Sequence, residues 1–408
     1  MKFLLKFSGL VLHQEPHPPH LSSVTFHNVM DFLYFHLILT DDCNLCCSYC
    51  RARAFENMDE IEDERLPQIE IDPLLPPELN FSLDLLYSFL QKDPAPKLTF
   101  YGGEPLLRAD LIDRIVREAP VKQFMIQTNG LLLDRLTPEI ISHFSTILVS
   151  LDGREELTDA NRGVGTYRKV MENIKKISLN GYNRDLIARM TVTESTDIAD
   201  AVRWLSNNQD HSFSSIHWQL DANFANDFSR RRFTDWVRKS YNPGILSLIT
   251  DWVDHMEDDA EVLRWYPFLD PMEDLLLGRK TRLRCGSGYA NYSIMTDGHI
   301  APCPVMAGMS QYYVGHIRDA DPQDLGVITI NGECTDCSLF GFCGGRCLYS
   351  NITKPWAKDE RRIICTTIEN LFFGLTEVLP RIKNLIADGV ICPSDFSHEK
   401  FNGCEIIP

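Results

Sequence analysis

Three cysteines, Cys43-x3-Cys47-x2-Cys50, close an apolar run that reads Leu37-Ile-Leu-Thr-Asp-Asp-Cys-Asn-Leu-Cys-Cys-Ser-Tyr-Cys50. Three thiolates can hold three irons of a cubane cluster and leave the fourth iron without a protein ligand. Such an open iron can coordinate a small molecule and pass it an electron. A site closed by four thiolates must lose a ligand to do so. The spacing therefore points to chemistry rather than electron storage. Cys46 falls outside the ligand register and reads as a small buried or solvent-facing residue.

A trio of this kind must be presented at the rim of a framework, and the flanking sequence alternates accordingly. Short apolar runs rich in β-branched and aromatic residues recur at 33–40, 97–101, 123–128, 146–151, 186–192 and 216–220. They read as buried parallel strands. Helical patterns lie between them. Tyr167, Val170, Met171, Ile174 and Ile177 recur at helical spacing behind Thr166, the expected N-cap, and form a core face. The alternation implies a parallel α/β sheet, open or curled into a barrel. The stretch after Cys50, acidic over residues 56–64 and then punctuated by Pro67, Pro73, Pro76 and Pro77, reads as a solvated loop, with a lid or partner surface as the alternative. Residues 226–283 read as a helical connection in which Trp236, Val237, Leu246, Ile249, Trp252 and Val253 pack, while Arg230, Arg231 and Arg232 face water.

Four motifs fall at the C-terminal ends of the expected strands, the edge where parallel α/β folds gather their active sites. The cysteine trio follows the first strand and Tyr101-Gly-Gly-Glu-Pro105 the second. Thr128-Asn-Gly130 follows the third, and Ser150-Leu-Asp-Gly153, with Arg162 beyond it, the fourth. Paired glycines let backbone approach a ligand closely, a carboxylate accepts from an ammonium, and a guanidinium pairs with a carboxylate. Each motif alone marks little more than a turn. In this order they imply a zwitterionic ligand, with an amino group and a carboxylate, held beside an iron with an open site.

Residues 33 to about 225 resemble a radical S-adenosylmethionine (radical SAM) enzyme through Cys43-x3-Cys47-x-Tyr49-Cys50, Gly102-Gly-Glu-Pro105 and the later strand-end motifs. The resemblance implies a partial (β/α)6 barrel. It implies that SAM chelates the unique iron of a 4Fe-4S cluster and is cleaved reductively to a 5′-deoxyadenosyl radical, which abstracts hydrogen from the substrate. By the same resemblance Gly102, Gly103 and Glu104 bind the methionyl amine, Arg162 and Ser150 the carboxylate side, Tyr49 lies by the adenine, and Asn129 belongs to the cofactor-binding set.

A second cysteine group, Cys285-x12-Gly298-x4-Cys303, then Cys334-x2-Cys337-x5-Cys343-x3-Cys347 and Cys365, ends the informative part of the sequence. Paired CxxC motifs often mean zinc, but seven thiols exceed one tetrahedral site. The pattern resembles the SPASM domain, a small cysteine-rich Fe–S domain that follows the barrel in many peptide-modifying radical SAM enzymes. The resemblance assigns Cys285, Cys303 and Cys347 to a first auxiliary 4Fe-4S cluster and Cys334, Cys337, Cys343 and Cys365 to a second. Where some members carry a further cysteine, this chain has Leu277, Gly278, Arg279 and Lys280, so three cysteines remain for the first auxiliary cluster and the ligand of its fourth iron is left open. Cys392 and Cys404 lie outside the pattern. The expected organisation is an N-terminal extension (1–32), a barrel (33–225), a helical connection (226–283), the auxiliary-cluster domain (284–366) and a C-terminal helix and tail (367–408).

Composition narrows the classes. The 408 residues carry 40 basic and 57 acidic side chains, a formal charge of −17, which disfavours nucleic acid as a partner. Thirteen cysteines in a long chain, clustered at short spacings, point to metal rather than disulfides and to a reducing, cytoplasmic setting. No run of about 18 or more apolar residues supports a membrane span. Residues 1–29 only faintly resemble a signal peptide, and Met30 is an alternative start. His13, His17, His20 and His27 have no framework for a metal. The leading expectation is peptide or protein modification: a crosslink, thioether, oxidation or epimerisation. An electron donor such as flavodoxin or ferredoxin is expected. So is a separate leader-binding protein or direct peptide binding to the barrel mouth. Alternatives are anaerobic sulfatase-maturase-like formylglycine formation, weakened by Pro304 in the place of that group's Asp, a small-metabolite enzyme, or a non-catalytic Fe–S electron-transfer protein. Asp297, His217 and Glu104 are candidate bases.

Overall fold

The computed structural model describes residues 33–50, 72, 74–207, 213–221 and 231–403. The expectations for residues 1–32 and for the acidic stretch 56–64 lie outside the described residues. From the first strand the chain alternates: β1 (Tyr34–Ile38), α1 (Leu83–Leu90), β2 (Lys97–Tyr101), α2 (Ala109–Glu118), β3 (Gln123–Thr128), α3 (Pro138–His143), β4 (Phe144–Ser150), α4 (Glu155–Arg162), α5 (Thr166–Leu179), β5 (Asp185–Val192), α6 (Ile198–Asn207) and β6 (Ser215–Leu220). A helical stretch follows, α7 (Phe233–Trp236), α8 (Asn242–Asp259) and α9 (Tyr266–Leu277). The cysteine-rich segment holds β7 (Asn291–Ile294), β8 (His299–Ala301), β9 (Gly315–His316), α10 (Phe340–Cys343), α11 (Leu348–Thr353) and the long α12 (Lys358–Ala387).

The first six strands are parallel neighbours in the order β6-β5-β4-β3-β2-β1, an open barrel of β/α units. Side chains alternate across a strand. One set, including Phe35, Leu37, Leu98, Phe100, Ile126, Ile147, Val149, Ala188, Met190, Ile216 and Trp218, joins the helices in one continuous core. The other set therefore faces inward and is far more polar: His36, Thr99, Ser150, Arg189, His217 and Gln219 belong to it. Local capping sets the helix starts. The Ser82 hydroxyl accepts from Leu85 N before α1, and Thr137 does the same for α3 from Ile140 N, with Pro138 at the first helical position.

Several expectations need correction. Thr166 is the first residue of α5, not its N-cap. Gly165, in the left-handed region, occupies the cap, and the Thr166 hydroxyl turns back to Arg162 O. Leu246 is 42% exposed, whereas Trp236, Val237, Ile249, Trp252 and Val253 are buried as expected. Arg231 does not face water: its guanidinium forms a bidentate pair with Glu194 and donates to Asp221 O.

The cysteine-rich segment begins inside the barrel's own sheet. β7 pairs in parallel with β1, Tyr34 opposite Asn291 and Leu37 opposite Ile294, and β8 and β9 extend the sheet in antiparallel fashion. His36 of β1 shares a 2.9 Å hydrogen bond with Asn291 of β7. α12 lies along α8 and α9, and Cys365 sits on it. Gly374 makes the close approach possible, because a Cβ there would stand 2.6 Å from Ile249 Cδ1. By length and composition alone α12 could cross a membrane, although it carries Glu369 and Glu377 and buries Ile364, Ile368, Leu371, Leu375 and Ile382.

The C-terminal tail returns beneath the barrel. Phe396 packs edge-on against Trp252, Glu399 takes hydrogen bonds from Tyr34 and Lys97 at the first positions of β1 and β2, and Phe401 packs edge-on against Tyr34. Asn402, almost fully buried, donates to the Tyr266 hydroxyl, and Tyr266 itself packs on the inward-facing Leu148 and Ile187. Lys400 pairs with Asp270, which also pairs with the buried Arg284. The tail thus packs against the N-terminal end of the barrel, where an open cavity of about 380 Å³ remains beside Glu399, and the cysteine loop marks the C-terminal edge as the mouth.

Burial lowers the pKa of His36 from 6.5 to about 4, against the opposing hydrogen bond from Asn291, with the Arg189 charge lowering it further. The folded state holds the neutral ring, and the unfolded chain takes a proton at the ordinary value. Stability linked to His36 is therefore complete above about pH 6.5 and is lost as pH falls toward 4. Replacing His36 with Asn should remove about 3 kcal/mol of that acid-induced loss, measured as the difference in urea unfolding free energy between pH 7 and pH 4 for the two proteins.

Candidate active site

The cysteine loop leaves the end of β1 and is clamped at both ends by buried carboxylates. At the Cys43 end the clamp begins with backbone. Gly103 N donates to Thr40 O and Glu104 N to Asp42 O, each at 2.8 Å. A Cβ on Gly102 would stand 2.3 Å from Thr40 O, and one on Gly103 would stand 2.3 Å from Asp42 O and 2.4 Å from Asp41 O. Gly102 also has φ +144°. The glycines are thus required first by the approach of the β2 end to the loop entrance.

Glu104 continues this clamp. It is fully buried, and its oxygens accept from Leu106 N (3.0 Å), the Thr128 hydroxyl (2.7 Å) and Asn129 N (2.7 Å). Burial raises its pKa against these hydrogen bonds. Its carboxylate holds the junction of β2 and β3. Asn129, so held, sends its side-chain amide to Asn44 Oδ1 (2.7 Å) and to Cys43 Sγ (3.8 Å). An N–H aimed at a ligand sulfur is one of the levers that set a cluster's potential.

At the Cys50 end the clamp is Asp152, whose side chain has no exposed surface. It receives Arg162 in bidentate fashion (3.0 and 2.8 Å), the Tyr49 hydroxyl (2.8 Å), Thr191 N (3.0 Å) and Asn161 Nδ2 (3.3 Å). The Arg162 guanidinium also lies over the Tyr49 ring at 5.3 Å. Burial opposes the Arg162 charge, but Asp152 outweighs it and raises the guanidinium pKa. Burial together with Asp152 pushes the Tyr49 phenol far up, so it remains a donor. Ser48 ties the same stretch to Asn161 through its N–H (2.8 Å) and hydroxyl (3.2 Å). Asp152 stands in a motif the sequence singles out, yet nothing there marks it as the hub, because its partners come from three other elements.

The three cysteines sense one another. Burial raises Cys47 to about 11, opposed chiefly by the Arg162 charge and reinforced by Cys50 and Cys43, and burial raises Cys43 too. Metal binding would displace these protons. Soft donors on a partly exposed loop, an N–H directed at one sulfur and a cation beside another fit an iron–sulfur cluster. Cys46 is exposed and outside this set.

The later cysteines fall into two groups. Cys285, Cys303 and Cys347 border the apolar cluster of Leu283, Met306, Met309, Ile330, Leu348 and Tyr349, and Cys334 touches its edge. Burial raises Cys303 to about 12, with Cys347 adding to it. Burial raises Cys334, Cys343 and Cys365, Cys343 to about 11, with Cys365 and Cys334 adding to it, although among the described residues no three such side chains converge as they would on a single metal ion. Arg284 fixes the approach to Cys285 by donating to Phe342 O on α10 while pairing with Asp270 and Asp274. Gly344, at φ +67°, admits no side chain, because a Cβ would stand 1.7 Å from Arg282 O. Cys392 begins a separate short 3-10 turn, and Cys404 lies outside the described residues.

Of the candidate bases, Glu104 is held as above and His217 is fully buried on the inward face of β6. Asp297 sits in the β7–β8 turn, accepting from His299 N (3.0 Å) and sharing a 2.6 Å bond with His299 Nδ1.

Two outcomes follow from the clamps. A methyl at Gly103 collides with backbone, not with a flexible side chain, so Gly103→Ala should displace the loop and lose most of the iron bound per chain, read by iron and sulfide analysis. Asp152→Asn leaves Arg162 buried without its counter-charge and should cost about 3–5 kcal/mol in anaerobic urea unfolding.

The model of the radical SAM superfamily matches residues 37–205. Human molybdenum cofactor biosynthesis protein 1 is 32% identical over 158 residues, 37% of this chain and 22% of that protein, so the chain spans about a fifth of that relative's length. The sporulation killing factor maturation protein SkfB of Bacillus subtilis (strain 168) is 24% identical over 339 residues, 80% of this chain and 72% of SkfB. Among solved structures, anSMEcpe with bound AdoMet and Cp18Cys peptide superposes with TM-score 0.62 at 18% identity, covering 87% of this chain and 99% of that one. SuiB of Streptococcus suis bound to precursor peptide SuiA gives 0.52 at 17%, covering 79% and 74%. The parallel barrel, the cysteine loop at its mouth and the matched model agree: residues 37–205 are a radical SAM domain.

Proposed function

We propose that this enzyme modifies a peptide or protein side chain by radical chemistry. The observation that carries the reading is the likeness to SkfB, a maturation protein, along 80% of the chain, which takes in the cysteine-rich half as well as the barrel. Cys43, Cys47 and Cys50 would hold the 4Fe-4S cluster that binds SAM. Cys285, Cys303 and Cys347 would hold one auxiliary cluster, and Cys334, Cys337, Cys343 and Cys365 another. When bound, the first cluster supplies the electron that splits the SAM sulfonium, and the alkyl radical so released takes a hydrogen from the substrate.

The chain's own residues orient and enclose. Gly102, Gly103 and Glu104 would meet the methionyl amine, Glu104 through the acceptor position that its three hydrogen bonds leave on Oε2. Arg162 and Ser150 serve the carboxylate side, and Tyr49, pinned by Asp152, lies against the adenine. Asn129 steadies the loop and its Cys43 sulfur. The auxiliary clusters would accept the electron left on the substrate. A one-electron carrier such as flavodoxin or ferredoxin, a reducing compartment and either a separate leader-binding protein or direct peptide binding to the barrel mouth complete the reading.

A small-metabolite reading has its own support in the GTP 3′,8-cyclases. The probable GTP 3′,8-cyclase of Archaeoglobus fulgidus is 31% identical, but over only 34% of this chain. That identity speaks for the SAM-handling half and leaves the remainder unexplained. Formylglycine formation is weaker, since Pro304, which opens a 3-10 turn after Cys303, has no side chain able to take a proton.

Reconstituted, dithionite-reduced protein should convert SAM to 5′-deoxyadenosine, and the Cys43→Ala, Cys47→Ala, Cys50→Ala variant should not. Variants of the auxiliary cysteines should retain that cleavage yet leave unshifted the mass of a short peptide encoded beside the enzyme and coexpressed with it. Absence of 5′-deoxyadenosine from protein with a full complement of iron would reject the reading.

A further inference from the structure

The inner face of the barrel carries a cation that nothing among the described residues neutralises. Arg189 is on β5, in cross-strand register with Ser150 of β4 and His217 of β6, so the three form one row on the inward side near the mouth. Arg189 is half-buried. Its one hydrogen bond is from Nη2 to Gln219 Oε1 at 2.9 Å, its buried Nε has no partner, and no carboxylate lies within ion-pair distance among the described residues. Other charges that meet this face are matched. Lys97 pairs with Glu399, and Asp185 accepts from Ser214, Ser215 and Tyr266. Arg162, one strand-end away, is already paired with Asp152.

The surroundings point the same way. Thr99 and Ser293 flank His36 in register on β2 and β7, are 1% and 0% exposed, and have hydroxyls without partners. Arg189 on β5 and His36 on β1 both stand on the inward set of positions, near enough for the Arg189 charge to help lower the His36 pKa. Arg189 is level with Ser150, the last residue of β4, and so stands toward the cysteine edge. A half-buried guanidinium without a counter-ion is costly in a chain of net charge −17, which offers many carboxylates that could have been placed beside it. Gln219 holds the fork in position while leaving its Nε edge to donate. Planar N–H pairs of this kind match a carboxylate.

We propose that Arg189, steadied by Gln219, is the receptor for a carboxylate of the substrate peptide and selects an acidic residue at the barrel mouth. This rests on the peptide-modifying reading and adds the chemical class of residue that enters. A carboxylate also belongs to SAM, so the test separates the two sources. Binding to cluster-reconstituted full-length protein, saturated with SAM, is measured by calorimetry for acetyl-Gly-Glu-Gly-amide and for its Gln counterpart. In parallel, affinities for SAM and decarboxylated SAM are measured without peptide.

Wild type should prefer the Glu peptide by about tenfold, the scale of one charge-assisted contact. Arg189→Gln should bring the two peptides within twofold, and Arg189→Lys should retain part of the preference. The ratio of SAM to decarboxylated SAM affinity should be unchanged in Arg189→Gln. Equal or absent binding of the two peptides by wild type overturns the proposal, as does a preference that survives Arg189→Gln. Collapse of the SAM ratio in Arg189→Gln also overturns it and hands the cation to the cofactor. Iron content and circular dichroism of the Lys variant separate a fold defect from loss of the receptor. The assay needs no turnover, so its failure is distinct from failure to form 5′-deoxyadenosine.

Discussion

Everything at the mouth of this barrel depends on two buried carboxylates that never reach solvent. Glu104 gathers Leu106, Thr128 and Asn129; Asp152 gathers Tyr49, Asn161, Arg162 and Thr191. A buried charge is tolerated only when its lone pairs are met by donors, and here those donors are drawn from strand ends and from the loop itself. Meeting that demand fixes the loop geometrically. The Cys43 end cannot drift without freeing Asn129, nor the Cys50 end without stripping Tyr49 from Asp152. The electrostatic cost of burial has become positional accuracy for three flexible thiols.

The framework was legible in the sequence because parallel strands buried on both faces read as continuous apolar runs. β2 and β3 begin and end where their runs do. β4 starts two residues early, at Phe144, directly after α3, where the flanking polar His143 and Ser145 separate the buried Phe144 from the apolar run. The motifs at the strand ends were legible as a set, but the division of labour within them was not. Glu104 reads as a ligand for an ammonium, and Arg162 as a ligand for a carboxylate. Each is also engaged with a residue distant in sequence, Thr128 or Asp152, and a one-dimensional pattern cannot show that second partner. β7 was invisible for a related reason. Four residues carry no periodic signal, and the partner strand is more than 250 positions away.

The sheet and the tail make the cysteine-rich segment part of the barrel. β7 adds to the β1 edge, Asn291 bonds to His36, and residues 396–403 pack against the base through Tyr34, Lys97 and Tyr266. The tail thereby takes the β1 and β2 side of that end away from water. Enclosure of this kind strengthens every electrostatic contact inside, and it also raises the cost of any polar group left unmet.

That cost separates two classes of residue. The residues that clamp the loop, from Asp41 to Cys50 with Gly102, Gly103, Glu104, Asn129, Asp152 and Arg162, all lie within the stretch matched by the superfamily model, and their polar atoms are largely satisfied by one another. The deeper lining draws on Gln219 and Ser293, beyond that stretch, together with Thr99 and Arg189 within it, and there the protein leaves a guanidinium edge and two hydroxyls unmet. Residues that complete each other build a site that can serve any substrate. Residues that wait for a partner define which one, and in this chain they stand on both sides of the barrel: Thr99 and Ser293 flank the strand to which the cysteine-rich segment adds β7, and Arg189 lies across from them on β5.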